Sequence, residues 1–172
     1  MAPAFAPVLA GALLLTMAGG GKVRRPASTV GALKSVGFRV PRGAVRALGV
    51  AEVALGISAV IPGGPVPAAL LGFGYLGFTG FVILAIRKGG TLSSCGCFGR
   101  PDTSPTSTHA IVTTAIGVCA LVAVGFGGID ARQLAWTATD ATLLAFAALV
   151  TWLAWLVFAV LPHARLPRTQ GH

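Results

Sequence analysis

The feature that most constrains this chain is its division into five long apolar runs, residues 4–21, 44–61, 68–86, 109–126 and 142–161, with nearly all charge held between them. Each run approaches the length needed to cross a hydrocarbon core of roughly 30 Å. Inside such a core the backbone must satisfy its own hydrogen bonds, and runs of this length do so as helices. Only 10% of the residues are charged, against about 25% in an ordinary soluble domain. The acids number four: Glu52, Asp102, Asp130 and Asp140. A water-facing surface cannot be built from so few charges. The expected fold class is therefore all-α, a polytopic membrane helical bundle of five spans whose first partner is the lipid bilayer.

The net charge of +9 raises the question of nucleic acid, but the placement of the positive residues answers it. Lys and Arg avoid the apolar runs and collect in particular connectors, as membrane topology requires and nucleic-acid binding does not. The first connector holds Lys22, Arg24, Arg25, Lys34, Arg39, Arg42 and Arg46; the third holds Arg87, Lys88 and Arg100; the tail holds Arg165 and Arg168. Only Arg132 lies elsewhere. Alternating spans put the three basic segments on one side, and the positive-inside rule makes that side cytoplasmic. The expected location is the cell (inner or plasma) membrane, with the N-terminus outside and the C-terminus cytoplasmic.

The first run reads as a retained span, with a cleaved signal as the alternative, and Gly19-Gly20-Gly21 is expected to fray its end. Residues 27–36 suit a short interfacial helix with Ser28 as candidate N-cap. Pro62-Gly63-Gly64-Pro65-Val66-Pro67 makes the second and third spans an antiparallel hairpin. Gly74, Gly77 and Gly80, with Gly72 nearby, mark a face of the third span where another helix can approach, unless they only reflect the frequency of Gly in membrane helices. Ser107 or Thr108 is the expected cap of the fourth span. Cys119, in mid-span, reads as a small buried hydrophobe, with a resolving thiol as the sharper reading. Trp136, Trp152 and Trp155 read as interface or packing aromatics.

Chemistry concentrates in Ser93-Ser94-Cys95-Gly96-Cys97-Phe98-Gly99, in the connector that starts from the cytoplasmic face. Two thiols one residue apart can close a small strained disulfide, and Gly96 gives the backbone the freedom that ring needs. Strained, exposed disulfides exchange rather than brace. Arg87, Lys88 and Arg100 would favour thiolate if near in space. The same spacing also occurs in metal sites, although His109 is the only histidine close by in sequence and leaves a tetrahedral zinc site incomplete. Thiol redox, metal binding and structural thiols all remain open on spacing, and no metal is assigned. Glu52 is the only acid well inside a span. An unpaired carboxylate in hydrocarbon is costly, and Lys22, at the cytoplasmic end of the first span, has a stem long enough to reach it. A structural ion pair is the plainer reading, and proton handling or cofactor binding the sharper one. His109 reads as a capping or interfacial histidine before a ligand or base.

These residues together resemble the MauE family of methylamine-utilisation membrane proteins, itself similar to the broader DoxX-like four-helix proteins. The resemblance rests on Cys95-Gly96-Cys97-Phe98-Gly99 after the third span, on Gly21-Lys22-Val23 with Pro26 soon after, and on Glu52 followed by Gly56. It implies a DoxX-like four-helix core over residues 1–127. Residues 128–162 then add a connector and a fifth transmembrane helix, and residues 163–172 a basic cytoplasmic tail. It further implies that Cys95 and Cys97 are the family's cysteine pair, supported by Lys22, Glu52, Gly96, Phe98 and Gly99, and that the protein helps to mature an exported, disulfide-containing partner.

The leading functional expectation is an integral membrane thiol-disulfide redox protein. Electrons would pass to or from a thioredoxin-like protein or a membrane quinone, and no residue is assigned to cofactor binding. The alternative is a non-catalytic membrane assembly factor with structural or metal-binding cysteines. A small transporter ranks last, because the chain shows no inverted repeat or broken-helix pair. Exported disulfides form outside, whereas the cysteine connector starts inside. A loop dipping into the bundle reconciles the two, since irregular backbone is tolerated at membrane depth when protein covers it, and Gly89, Gly90 and Phe98 permit such a dip.

Overall fold

A computed structural model describes residues 5–87, 106–130 and 137–156. These form six helices with no strand among the described residues: α1 Phe5–Arg24, α2 Pro26–Ser35, α3 Arg42–Ser58, α4 Pro65–Arg87, α5 Ser107–Val124 and α6 Ala138–Trp155. The all-helical class is as expected. By length and composition three of them, α1, α4 and α5, can cross a membrane. The apolar stretch of α6, Ala141–Leu153, is shorter. α3 has 17 residues and opens on Arg42 and Arg46, whose charges belong at an interface rather than in hydrocarbon. The surface agrees with a lipid environment. Large apolar side chains such as Phe73, Ile111, Phe146 and Trp152 are exposed on the outer faces of the helices, where a soluble protein would place charge.

Two antiparallel helix pairs build the bundle. α3 lies along α1, and α5 lies along α4. α1 is the central element, because it also touches α5 and α6. The core gathers Val8, Leu9 and Ala12 of α1, Leu71 and Tyr75 of α4, Ala120 and Ala123 of α5, and Ala147 of α6. Most of these residues are small or medium in size, so the helices approach closely. In lipid, where apolar surface gains nothing by leaving the solvent, such close packing supplies much of the association energy. At one end the α3–α4 turn hooks onto the segment after α5: the Gly64 N–H donates to the Ile129 carbonyl at 3.0 Å. Gly63 (φ 74°) and Gly64 (φ 102°) adopt backbone that side chains disfavour. At the other end Ala32 and Val36, in and just after α2, pack against Ala85 near the end of α4.

Four local expectations need correction. α1 does not fray at Gly19-Gly20-Gly21 but runs on to Arg24, because Gly19 is held in a helix crossing described below. Ser28 does not cap α2. Arg25 occupies the N-cap, Pro26 starts the helix with its fixed φ, and the Ser28 hydroxyl instead points back to the Arg25 carbonyl at 3.5 Å. The N-cap of α5 is Thr106, not Ser107 or Thr108. The glycine face of α4 is also displaced. A Cβ built on Gly74, Gly77 or Gly80 would meet nothing within 4 Å, whereas one on Gly72 would lie 2.8 Å from Leu121 and 3.0 Å from the Gly117 carbonyl oxygen. A spacing of three drifts around a helix of 3.6 residues per turn, so the row leaves the contact face.

Candidate functional site

The α1–α3 crossing is built from two matching pentapeptides, Gly19-Gly20-Gly21-Lys22-Val23 and Gly49-Val50-Ala51-Glu52-Val53. Gly19 and Gly49 sit against each other's backbone. A Cβ on Gly19 would come within 2.5 Å of the Gly49 carbonyl oxygen and 3.0 Å of Glu52 Cβ, and one on Gly49 within 2.7 Å of the Gly19 carbonyl oxygen and 3.0 Å of Lys22 Cβ. Each helix therefore sets its charged residue, three positions on, over the other helix's glycine. The Lys22 ammonium reaches across and donates to both Glu52 oxygens, at 2.9 Å to Oε1 and 2.7 Å to Oε2. The side chains are only 9% and 17% exposed. Further along, Gly56 packs over the Ala12 carbonyl and Thr16, extending the close contact. The ion pair expected from Lys22 and Glu52 is thus present, and the glycines explain how the two chains come within reach.

This pair forms one end of a cavity of about 280 Å³ between the α1–α3 pair and the α4–α5 pair. The walls are mostly aliphatic or aromatic, among them Leu14, Leu55, Phe78 and Ile116. His109 and Thr113 of α5 and Tyr75 of α4 contribute polar atoms. His109 is buried, and its Nδ1 shares a 2.8 Å hydrogen bond with Thr106 Oγ1. Its position is therefore more specific than a plain interfacial cap. The Thr106 side chain, just ahead of α5, holds the ring, and the ring borders the same space as Lys22 and Glu52. The Tyr75 hydroxyl donates to the Gly11 carbonyl at 2.7 Å and ties α4 to α1 across the bundle. Beside it Thr79 and Thr113 share a 2.7 Å hydrogen bond between α4 and α5. Each hydroxyl also lies within hydrogen-bond distance of the carbonyl four residues back in its own helix, Tyr75 for Thr79 and His109 for Thr113, so one proton bridges the helices while the other goes to its own backbone.

Sequence reasoning missed Tyr75 and the threonine contact. The available signal was that Tyr75 is the chain's single tyrosine, set within an apolar run where a buried hydroxyl must find a partner. Cys119 is half-buried and unpaired. It borders a separate groove between α4 and α5, next to Thr79, Ile111 and Thr114, so it is less deeply packed than expected and does not line the cavity. Trp152 is exposed, as an interface aromatic should be.

Cys95, Gly96, Cys97, Phe98 and Gly99 lie outside the described residues, as do Trp136 and the tail. The described residues nearest to the cysteine stretch in the chain are Arg87 and Thr106. Arg87 ends α4 and Thr106 precedes α5, and Thr106 bonds His109, which lines the same cavity as Lys22 and Glu52. Among the described residues no three His, Cys, Asp or Glu side chains converge on a metal-sized site.

Comparison with known proteins adds one decisive finding. The family of the methylamine utilisation protein MauE matches residues 1–128. The chain belongs to the MauE family. The match takes in α1 to α5 and ends before α6 begins. No curated protein and no solved structure matches the chain. A MauE-family membrane protein is therefore the identity that sequence and fold agree on, and the Lys22–Glu52 pair and its cavity lie within the family-matched part.

Proposed function

We propose that this MauE-family protein is a membrane thiol-disulfide redox protein that assists the maturation of an exported, disulfide-containing partner. The observation that carries this reading is positional. The only closely spaced thiols in the sequence, Cys95 and Cys97, belong to the segment joining α4 to α5, and at its α5 end Thr106 bonds His109, which lines the same cavity as Lys22 and Glu52. The cysteine pair cycles between dithiol and disulfide. In the oxidising direction, a partner thiolate attacks the Cys95–Cys97 disulfide and one cysteine leaves as thiolate. A second partner thiolate then resolves the mixed disulfide. The partner loses two electrons and two protons, and the cysteine pair gains them. A thioredoxin-like protein or a membrane quinone exchanges electrons with the pair. Gly96 provides the backbone freedom for the ring, and Phe98 and Gly99 complete the family stretch.

The proposed organisation is a four-helix core over residues 1–127, a connector and fifth transmembrane helix over 128–162, and a basic cytoplasmic tail over 163–172. Five spans would cross the inner or plasma membrane, with the N-terminus outside and the cysteine segment starting from the cytoplasmic side. α3 enters this count because Lys22 neutralises its single internal acid and its arginines lie in its first turns.

A thiol-alkylation gel shift on native membranes tests the reading. Cys95 and Cys97 should resist alkylation until reduced, and the protection should change when quinone or thioredoxin is depleted. Free alkylation under every condition would sink the redox role. The second reading, a non-catalytic assembly factor, would then lead. It is favoured by the glycine crossings, which account for Lys22 and Glu52 as packing elements.

A further inference from the structure

We propose that the end of the bundle where α2 lies is a docking surface for the headgroups of anionic phospholipids. The first argument is placement. Arg24 belongs to the last turn of α1, and Arg25 links it to α2. Lys34 lies in the last turn of α2. Arg42 and Arg46 open α3, with Arg39 just before it, and Arg87 closes α4. The helix directions bring all seven cations to one end. α1 and α3 run antiparallel, and Gly19 meets Glu52 as Gly49 meets Lys22. The same register sets Arg25 level with Arg46. From there α2 crosses the end of the bundle, and Ala32 and Val36 pack against Ala85 near the end of α4. The buried residues of α2, Pro26, Thr29 and Ala32, share its inward face, while Lys34 is exposed.

Charge is the second argument. All seven side chains are exposed, and among the described residues none pairs with an acid. Glu52 is held by Lys22, and Asp130 lies beside the α3–α4 turn, at the opposite end of the bundle. Uncompensated positive charge gathered in this way attracts an anionic surface. Six of the seven are arginines, whose planar guanidinium meets a phosphate with two parallel hydrogen bonds. The neighbouring surface makes that phosphate a lipid's. Val50 lies four residues after Arg46, and Ile83 four before Arg87, so each sits one helical turn along the same face as its arginine. Both are exposed, at 59% and 41%. A headgroup on the arginines therefore leaves its acyl chains against apolar side chains. Phe38 adds an anchor. Gly37, at φ 103°, ends α2, and the N–H groups of Gly37 and Phe38 donate to the Lys34 and Leu33 carbonyls at 3.0 and 2.9 Å. The closed helix end leaves the Phe38 ring exposed, with Lys34 and Arg39 close by in the chain, as suits an aromatic in the headgroup layer. Nothing in this surface depends on Cys95 or Cys97.

The test places the full-length protein in phosphatidylcholine vesicles with trace spin-labelled phosphatidylglycerol or spin-labelled phosphatidylcholine of the same acyl chains. Electron spin resonance reads the fraction of each label held at the protein. Phosphatidylglycerol should associate at least about fivefold more strongly, the factor that even one cation near an anionic headgroup supplies. Raising NaCl to about 0.5 M should at least halve that preference by screening. The variant Arg39→Gln/Arg42→Gln/Arg46→Gln should bring it below about twofold, with helix content unchanged. Arg39→Lys/Arg42→Lys/Arg46→Lys keeps the charge and should keep at least half of the wild-type preference. If the neutral triple variant fails to fold, Arg39→Gln/Arg42→Gln, at two exposed positions, takes its place and should lower the preference in the same direction. Equal association of the two lipids with the wild-type protein, or a full preference in a folded neutral variant, would overturn the surface. Millimolar glycerol 3-phosphate should leave the preference unchanged. Its loss to that competitor would assign the arginines to a free phosphate compound, and its loss to micromolar oligouridylate would assign them to nucleic acid; either result overturns the lipid assignment.

Discussion

The two helix pairs of this bundle solve the same packing problem with different polar chemistry. Both run antiparallel and both cross at opposed glycines, Gly19 with Gly49 and Gly72 with Gly117. Beside the first crossing lies an ion pair, Lys22–Glu52. Beside the second lies a neutral contact, Thr79–Thr113. The threonines satisfy themselves largely within their own helices, through carbonyls four residues back. They would remain satisfied if the other helix moved away. Lys22 and Glu52 lie on different helices, and Glu52 is left as a charge in hydrocarbon if Lys22 is lost. A self-satisfied contact is glue, whereas a mutually dependent charge pair on a cavity wall is a feature that packing alone does not require.

Substitutions sharpen this contrast, the largest effect coming from the charged seam. Lys22→Met should cost about 3–5 kcal/mol, because it leaves Glu52 buried without its partner, while Lys22→Met/Glu52→Gln should recover most of that loss. Unfolding of purified protein in mild detergent measures both, and equal destabilisation by single and double variants would show that the pair is not coupled. Gly49→Val places a Cβ 2.7 Å from the Gly19 carbonyl oxygen. It should cost about 1–3 kcal/mol by forcing the helices apart, and thermal melting followed by circular dichroism reads it. Thr113→Val should cost only about 1 kcal/mol, since Thr79 keeps its bond to the Tyr75 carbonyl. A loss as large as that of Lys22→Met would erase the distinction between the seams. Gly77→Ala is the control. Its side chain meets open space, so stability should stay level or rise by up to about 1 kcal/mol from helix propensity.

Much of the architecture was readable in the sequence because the bilayer imposes a simple rule, long apolar runs with charge between them. Every expected apolar run that the structure describes is a helix, and α2 appears where the interfacial helix was placed. What the sequence hid was rotational phase. The Gly74–Gly77–Gly80 row looked like a packing face, yet only Gly72 touches α5, because which side of a uniformly apolar helix turns inward depends on its neighbours. The Gly19–Gly21 run looked like a helix end for the same reason: low propensity was visible, and the partner helix that overrides it was not. In the site, Lys22 and Glu52 stood out because charge is rare. Tyr75 and His109 were harder, since a single hydroxyl or imidazole acquires its meaning from the groups placed around it by folds far away in the chain.

The crossing that joins Lys22 to Glu52 also imposes an order on biogenesis. Lys22 belongs to the last turn of α1, where its four-carbon stem can hold the charge in the interface at that helix end while the helix waits alone. Glu52 lies well inside α3 and has a short side chain with no such refuge. The cation leaves the ribosome 30 residues before the carboxylate that needs it. α1 can therefore enter the lipid first and unaided, whereas α3 enters at low cost only onto an α1 already in place. The docking of α3 onto α1 becomes a checkpoint in membrane insertion: a chain that fails it presents a bare acid to the translocon.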